Sequence, residues 1–258
     1  MTKRDPIFDN EAVTVRQGDT PVPVLVVCEH ASNVMPVEFG NLGLDQDALH
    51  SHVAWDPGAL PVAEELARAL NGVLIAGAAS RLLFDCNRPP EAADAMPARS
   101  EVFDIPGNAD LTAEQRAERV RRFHDPFNRA MTQLLDQRPF EVMVTIHSFT
   151  PNYNGQRRAV EIGVLHDSDS RFADAMLSCA AKHTDMVVRR NDPYGPQHGV
   201  THTLVSHAQP RGMLNVMLEV RNDLIASKAG QRAVAQTMAG WVAETMAICG
   251  IPHPEGGA

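Results

Sequence analysis

The sequence predicts an α/β protein of three layers (αβα), in which helices cover both faces of a mixed, mainly parallel β-sheet. Short runs rich in Val, Ile and Leu alternate along the chain with longer segments that have helical spacing. Most of the short runs lack the alternation of apolar and polar residues that marks a strand with one face in water, so we expect strands buried on both faces. No stretch rich in Gly, Ser or Pro divides the 258 residues, and a chain of this length can bury one large core. We therefore expect a single domain over residues 1–258.

Seven apolar runs are typical of buried strands, because Val, Ile and Leu dominate them and turn-forming or polar residues follow them. In chain order they are Val22–Cys28, Gly72–Ala76, Arg81–Phe84, Glu141–Ile146, Val160–Leu165, Met186–Arg189 and Leu214–Val220.

Four segments have the spacing of amphipathic helices. The second of them opens with Thr112 and Gln115 in the spacing of a capping box, and Pro126 within it is expected to bend the helix. The four segments are Ala59–Leu70, Leu111–Leu135, Arg171–Lys182 and Ala226–Cys249.

Two stretches are expected to form long loops. Asn87–Asn108 contains four prolines and few apolar residues, and Arg190–Gly199 is rich in turn-forming residues. Irregular segments of this kind inside a compact domain are more often functional than not.

Composition and charge narrow the class of protein. Hydrophobic residues make up 44% and charged residues 21%, and the formal net charge of −9 disfavours a nucleic-acid partner, which needs a positive surface. No run of about 18 uncharged apolar residues indicates a membrane span, and MTKRDPIFDN at the N-terminus lacks the apolar segment of a secretory signal. The cysteines Cys28, Cys86, Cys179 and Cys249 include no CxxC pair, so we expect reduced thiols. A cytoplasmic enzyme with a small-molecule substrate is the resulting expectation, and the oligomeric state stays open.

Polar residues at the ends of predicted strands suggest the place of a site. His30 follows the first strand, His147 follows the fourth, and Glu219 lies near the end of the last. In α/β sheets, ligands bind at the carboxyl ends of the strands, so parallel strands would bring these three side chains into one crevice. Two imidazoles and a carboxylate suit Zn²⁺ with one position open for water.

Each of these residues also has an ordinary structural explanation. A histidine after a strand is more often a hydrogen-bonded structural residue than a ligand. Glu219 lies among apolar residues, where an ionised carboxylate needs a partner, and Arg221 on the same face of the strand is an alternative to a metal. Asp56 is either a third ligand or the N-cap of the following helix. Glu29 is a further candidate ligand, although it points away from His30 on an extended chain.

An arginine in a proline-restricted turn is a candidate for binding a substrate carboxylate. Arg88 follows a predicted strand, and a guanidinium held in this way can grip a carboxylate with two parallel hydrogen bonds. The alternative is an ordinary surface arginine. Arg81 either shares this role or pairs with Asp85.

Six segments together resemble the N-formylglutamate amidohydrolase family. They are VCEHASN, HVAWDPGA, SRLLFDCNRP, IPGN, TIHSFTP and GVTHTLVSHAQPRGMLNVMLEVRNDLI, in this order, and they extend from the first predicted strand to Asn222–Ile225. The family is similar to zinc carboxypeptidases, so the resemblance implies a hydrolase fold like that of the zinc exopeptidases. It also implies a metal-dependent amidohydrolase that cleaves an N-acyl amino acid such as N-formyl-L-glutamate. Zinc is the expected ion, with cobalt or manganese as alternatives.

The resemblance assigns roles to individual residues. His30, Asp56 and His147 are the implied metal ligands, although Asn33 replaces the acidic ligand that zinc carboxypeptidases carry three residues after the first histidine, and Asp56 is taken by analogy with zinc amidases. Glu219 is the implied general base and acid. Arg81 or His202 is expected to stabilise the oxyanion, and Asn87 and Arg88 to bind a substrate carboxylate. Independently of the resemblance, the loop Asn191–Gly199 with Tyr194 is expected to close over the substrate and exclude water. The alternatives are a zinc carboxypeptidase, a cell-wall amidase, and a non-catalytic relative that binds metal or an acyl amino acid.

Overall fold

A computed structural model of the chain describes residues 8–17 and 23–252. Within that part of the chain, no helix is both long enough and apolar enough to cross a membrane. Residues 1–7 lie outside the described residues, so the inference from the N-terminal segment to a cytoplasmic location stays a prediction.

Twelve strands are present within the described residues, and their bounds in chain order are as follows. They are β1 (Phe8–Asp9), β2 (Val13–Gln17), β3 (Val24–Cys28), β4 (Val73–Gly77), β5 (Arg99–Ser100), β6 (Phe103–Asp104), β7 (Val142–Phe149), β8 (Asn152–Tyr153), β9 (Gln156–Arg157), β10 (Ile162–Leu165), β11 (Val188–Arg190) and β12 (Leu214–Arg221).

The helices follow the same order. They are α1 (Gln46–His50), α2 (Ala59–Ala69), α3 (Ala113–Arg119), α4 (Asp125–Gln137), α5 (Arg171–His183) and α6 (Lys228–Ile248). Short 3₁₀ turns occupy Val37–Phe39, Ala93–Ala95, Pro106–Asn108, Pro196–His198, Gln209–Arg211 and Asn222–Ile225, and π turns occupy Val120–His124 and Leu204–Ala208.

The main sheet has eight strands in the order β1-β2-β4-β3-β7-β12-β10-β11. Its four central strands, β4, β3, β7 and β12, are mutually parallel. Antiparallel pairs flank them, with β2 beside β4 on one side and β10 beside β12 on the other. The predicted mixed, mainly parallel sheet is therefore confirmed.

Helices cover both faces of this sheet. On one face α2, α5 and α6 pack on alternate strand residues such as Val26, Val144 and Leu218. On the other face α4 packs on the intervening residues such as Leu25 and Met143. Because the central strands are buried on both sides, their sequences are continuously apolar. The three predicted layers are confirmed.

The predicted strand at Arg81–Phe84 is wrong. Leu82 and Leu83 are buried, but in a third apolar cluster formed mainly by loops. The backbone of this segment bonds to turns and loops, with Leu83 N donating to Ser80 O and Asp85 N to Ala95 O. An apolar run under a loop has the same composition as a buried strand, so composition alone did not separate the two.

The other predicted strands are present, with ends shifted by up to three residues, and the start of the first, Val22, lies outside the described residues. The predicted helices are also present with small shifts at their ends, except that the predicted helix Leu111–Leu135 is divided into two. The capping box of Thr112 and Gln115 is confirmed, and the π turn then separates α3 from α4. Pro126 lies in the first turn of α4, where its missing backbone N–H removes no hydrogen bond within the helix. The irregular part of the predicted helix is the π turn Val120–His124, which precedes the proline.

Candidate metal-binding active site

The carboxyl ends of three adjacent parallel strands form the site. His30 lies two residues after β3, while His147 lies in β7 and Glu219 in β12. Glu219 is paired directly with His147 in the ladder between β7 and β12. The two imidazoles, distant in sequence, approach to 3.2 Å between their Nδ1 atoms. The predicted crevice is thus present in the structure.

Asp56 joins these imidazoles and does not cap α2. The helix begins at Ala59 after Gly58, whose backbone serves as the N-cap. The backbone N–H of Asp56 donates to the carbonyl of His30 at 2.9 Å. Its Oδ2 accepts from the backbone N–H of Ser148 at 3.2 Å and lies 3.0 Å from Nδ1 of His147. The carboxylate is therefore held between the ends of β3 and β7.

Gly58 is needed for this arrangement. It adopts a φ of +83°, and a Cβ atom there would lie 2.6 Å from the carbonyl oxygen of Ile225. A left-handed conformation and a close backbone contact both favour glycine. The turn that presents Asp56 therefore depends on the glycine that follows it by two residues.

The donor atoms have the spacing of ligands around one divalent ion. Oδ2 of Asp56 is 3.4 Å from Nδ1 of His30 and 3.0 Å from Nδ1 of His147, and the two nitrogens are 3.2 Å apart. Tetrahedral zinc ligands at about 2.0–2.2 Å from the metal lie about 3.3–3.6 Å from one another. The three residues are 1–3% exposed, so water does not screen them from each other. Imidazole nitrogens and a carboxylate oxygen at this spacing fit Zn²⁺.

A carboxylate lies behind each imidazole. Nε2 of His30 is 2.7 Å from Oδ1 of Asp85. Nε2 of His147 is 3.1 Å from Oε2 of Glu29, an ion-pair distance without the alignment of a hydrogen bond. Carboxylates in this position fix the proton on Nε2 and leave Nδ1 free to bind a metal. Neither contact was expected from the sequence, where the only signal for them is an acidic residue within or beside an apolar run.

Arg81 links Asp56, a candidate metal ligand, to Asp85, the carboxylate behind His30. Its guanidinium contacts Oδ1 of Asp56 at 3.3 Å and Oδ2 of Asp85 at 2.5 Å. Burial opposes ionisation of Asp85, but Arg81 and His30 outweigh it and hold its pKa well below the usual range. Of the three roles predicted for Arg81, pairing with Asp85 is present in the structure.

Glu219 lies beside this cluster without a partner of its own. It is 4% exposed, and among the described residues its Oε2 has no hydrogen-bond partner. Arg221, the alternative partner, instead contacts Glu161 and Asp223. Burial raises the pKa of Glu219 to about 7, with His147 opposing and Asp56 adding to the rise. A buried unpartnered carboxyl of this pKa has the properties of a proton-transfer group.

The pKa of Glu219 predicts a pH-dependent cost to metal-free stability. Because the pKa rises from 4.5 to about 7 on folding, the folded state binds more protons than the unfolded state between these values. Stability is therefore lost as the pH rises through this window. In metal-free protein, Glu219→Gln is expected to raise the unfolding free energy relative to wild type at pH 8 but not at pH 4.5.

Denaturant titrations at the two pH values measure this difference. Glu91→Gln, at an exposed glutamate, serves as the control and should change stability equally little at both. An equal effect of Glu219→Gln at the two pH values would contradict the raised pKa of Glu219 in the folded protein.

A cavity of about 340 Å³ opens in front of the cluster, within the size range of small-molecule sites. The predicted site residues that line it are His30, Asp56, Arg81, Asn87, Arg88, His147, Tyr194 and Glu219. His202 is not among the lining residues, and its Nδ1 lies 3.2 Å from the hydroxyl of Ser206. Eight of the nine predicted residues are thus brought to one cavity.

Asn87 and Arg88 connect the two predicted loops across the cavity wall. The amide of Asn87 donates to the carbonyl of Val200 at 2.5 Å and accepts from the backbone N–H of Thr203 at 3.0 Å. Arg88 donates through Nη1 to the carbonyl of Gly199 at 2.9 Å and through Nε to Asp94 at 2.7 Å. Among the described residues, Nη2 of Arg88 has no partner. Asn87 is thus occupied by the loop backbone, whereas Arg88 retains a donor.

The second predicted loop, Arg190–Gly199, comes close to Glu219 at a glycine in the neighbouring strand. Gly163 is paired with Glu219 between β10 and β12. A Cβ atom at Gly163 would lie 2.3 Å from the carbonyl oxygen of Asp192, so only glycine admits this loop. The loop carries Tyr194 to the cavity, where its ring centre is 5.0 Å from the guanidinium carbon of Arg158. Burial raises the pKa of Tyr194 to about 12, which keeps its hydroxyl protonated.

Comparison with known proteins identifies the family of the chain. A family model described as N-formylglutamate amidohydrolase matches residues 22–226, which include every predicted site residue. The structure of gene product Atu2144 from Agrobacterium tumefaciens is 48% identical, covers 93% of this chain and 97% of its own, and has a TM-score of 0.90. The N-formylglutamate amidohydrolase from Ralstonia eutropha JMP134 shares 16% identity and the same fold, covering 90% of this chain and 97% of its own with a TM-score of 0.63. No match was found among curated proteins.

Proposed function

Because the chain belongs to the N-formylglutamate amidohydrolase family, we propose that it is a metal-dependent enzyme that hydrolyses N-formyl-L-glutamate to formate and glutamate. The observation that carries the proposal is the position of the unpartnered carboxyl of Glu219 beside three buried ligand atoms. A buried acid in this place has no structural partner to explain it, and hydrolysis needs such a group.

His30, Asp56 and His147 would hold the ion, which we propose to be zinc, with cobalt or manganese as substitutes. When bound there, the ion would polarise the amide carbonyl and lower the pKa of water. The positive charge would also favour the ionised form of Glu219 and so lower its pKa below the metal-free value of about 7.

Glu219 would transfer protons in both halves of the reaction. As a carboxylate it accepts a proton from the attacking water, and as an acid it gives a proton to the departing amine nitrogen. Burial raises the pKa of Glu219 and a bound ion would lower it, and these opposing effects let the carboxyl both accept and return a proton during the reaction.

Arg81 is the better placed of the two candidates for stabilising the oxyanion. Its guanidinium lines the cavity and is held by Asp56 and Asp85. A fixed positive charge needs no reorganisation when negative charge develops on the substrate. His202 does not line the cavity, and burial lowers its pKa, which favours the neutral form.

Glu29 is expected to orient His147 for metal binding. Glu29→Gln removes the negative charge facing Nε2 while keeping the size of the side chain, so zinc affinity should fall by about 10–100-fold, the usual effect of such a change. Competition titration with a chelating dye measures this affinity, with Glu91→Gln as the control. Unchanged affinity would show that Glu29 does not position His147.

Arg88 is proposed to bind a carboxylate of the substrate through its available Nη2. Arg88→Ala is expected to raise KM for N-formyl-L-glutamate by about tenfold or more, since a charge-assisted hydrogen bond contributes about 1.5–3 kcal/mol. Initial-rate kinetics separate KM from kcat, and Arg68→Ala on the exposed side of α2 is the control. An unaltered KM would contradict this role.

Substrate assays with the metal-loaded protein test the proposed function. We expect formate release from N-formyl-L-glutamate to exceed hydrolysis of N-acetyl-L-glutamate and of short peptides, and Glu219→Gln to reduce it strongly. Faster release of C-terminal amino acids from peptides would indicate a carboxypeptidase, and faster cleavage of N-acetylmuramoyl-L-alanine amides a cell-wall amidase. Binding of N-formyl-L-glutamate without turnover would indicate a non-catalytic relative.

A further inference from the structure

A second group of metal-binding side chains lies between α5 and α6. Cys179 and His183 are four residues apart on α5 and so lie on the same face of that helix, and Glu244 approaches them from α6. One ligand atom of each residue lies within 4.8 Å of those of the other two. None of the three lines the cavity described above.

The imidazole of His183 is fixed in orientation by its neighbours. Its ring stacks on Trp241, with ring centres 6.5 Å apart and planes inclined by 18°. It also packs beside Gly240, where a Cβ atom would make an ordinary van der Waals contact of 3.5 Å with Nδ1. Nε2 of His183 contacts Oε2 of Glu244 at 2.8 Å. The histidine and the glutamate are therefore already adjacent, and little side-chain freedom remains to be lost on binding an ion.

The cluster is buried at the sulfur and open at the carboxylate. Cys179 is 3% exposed, whereas the side chains of His183 and Glu244 are 17% and 31% exposed. An ion from solvent can therefore reach the thiol past the other two residues. The other oxygen of Glu244, Oε1, lies 2.5 Å from the ammonium of Lys182, which is 69% exposed and can move away as the ion binds.

We propose that Cys179, His183 and Glu244 bind a second divalent ion of the zinc type, which joins α5 to α6. In the absence of an ion, His183 pairs with Glu244, and the thiol of Cys179 contacts the carbonyls of Ala175 and Met176. A small movement of these side chains would bring three donors that lie within 4.8 Å of one another onto one ion. A thiolate, an imidazole and a carboxylate oxygen are the donors that Zn²⁺ accepts, and three protein ligands leave one position for water. Binding releases the thiol proton to solvent and replaces the contact between Nε2 and Oε2.

Cobalt titration of metal-free protein distinguishes this site from the first one, which contains no cysteine among its ligand atoms. We expect two equivalents of Co²⁺ per chain and a near-ultraviolet thiolate-to-cobalt charge-transfer band. Cys179→Ser should lose the band and bind one equivalent, and His183→Gln should bind one equivalent. His147→Ala should also bind one equivalent but keep the band.

The control is Cys86→Ser, because Cys86 is the thiol whose surroundings include Asp85 and Glu29 near the first site. This variant should keep both the band and the second equivalent. A band that survives Cys179→Ser, or a wild-type protein that binds one equivalent without a band, would overturn the proposal.

A second readout does not depend on cobalt spectra. In the His147→Ala background, added Zn²⁺ should raise the melting temperature of the protein, because an ion that binds only the folded state stabilises it. Adding Cys179→Ser to this background should abolish the shift. An equal shift with and without Cys179 would also overturn the proposal, and far-UV circular dichroism verifies that both variants are folded.

Discussion

Replacing Glu219 with glutamine is expected to lower kcat by about 10²–10⁴-fold, the usual contribution of a general base or acid, while leaving the metal content at the wild-type level. The amide keeps the size of the side chain but can neither accept a proton from water nor return one to the leaving nitrogen. Steady-state kinetics on N-formyl-L-glutamate, together with elemental analysis of the same sample, measure both quantities.

The matched control for this change is Glu141→Gln, at an exposed residue beside the opposite end of β7. It should leave kcat unaltered. Full activity in Glu219→Gln would remove the proton-transfer role, and loss of metal in that variant would mean that Glu219 is itself a ligand.

Replacing His147 with alanine is expected to weaken metal binding by more than about 100-fold, beyond the effect typical of residues behind the ligands. The variant removes one of three ligand atoms and leaves Asp56 and Glu29 without the imidazole between them. Because two buried carboxylates then lose a partner, we also expect a lower melting temperature. Activity should fall with the metal.

Chelator competition followed by elemental analysis measures the change in affinity at this site. His50→Ala is the control, since His50 is an exposed residue at the end of α1. If His147→Ala retained wild-type affinity and the same number of equivalents, His147 would not be a ligand.

The two variants separate binding from chemistry. Glu219→Gln should bind metal and substrate with a much lower turnover, whereas His147→Ala should lack the metal of the active site. Their different behaviour follows from the structure, in which His147 lies within the ligand cluster and Glu219 stands beside it with an unpartnered oxygen.

The sheet and the meeting of His30, His147 and Glu219 were predictable from the sequence. Buried parallel strands have continuously apolar sequences, and polar residues at their ends therefore stand out. The topology rule for α/β sheets then places the ends of parallel strands along one edge. The adjacency of β3, β7 and β12 satisfies this rule directly.

Features that depend on loops were less predictable. The apolar run Arg81–Phe84 is buried under loops, and nothing in its composition separates it from a strand. For the same reason the sequence did not place Asp85 against His30, since that contact depends on the path of a loop. Asp56 was left between capping and ligation because both need a carboxylate before a helix.

The resemblance to a family supplied what physical reasoning left open. Spacing alone did not choose Asp56 as the third ligand, whereas the analogy with zinc amidases did, and the structure places its carboxylate 3.0 Å from His147. His202 shows the opposite case, because the family motif includes it but its side chain does not line the cavity.

Anomalous scattering at the zinc edge, from crystals of the zinc-loaded protein, tests the central claim most directly. We expect an anomalous peak bonded to Nδ1 of His30, Oδ2 of Asp56 and Nδ1 of His147, with the carboxyl of Glu219 facing it. No anomalous peak between these three residues in fully loaded crystals, or a zinc ion there bound through other side chains, would contradict it.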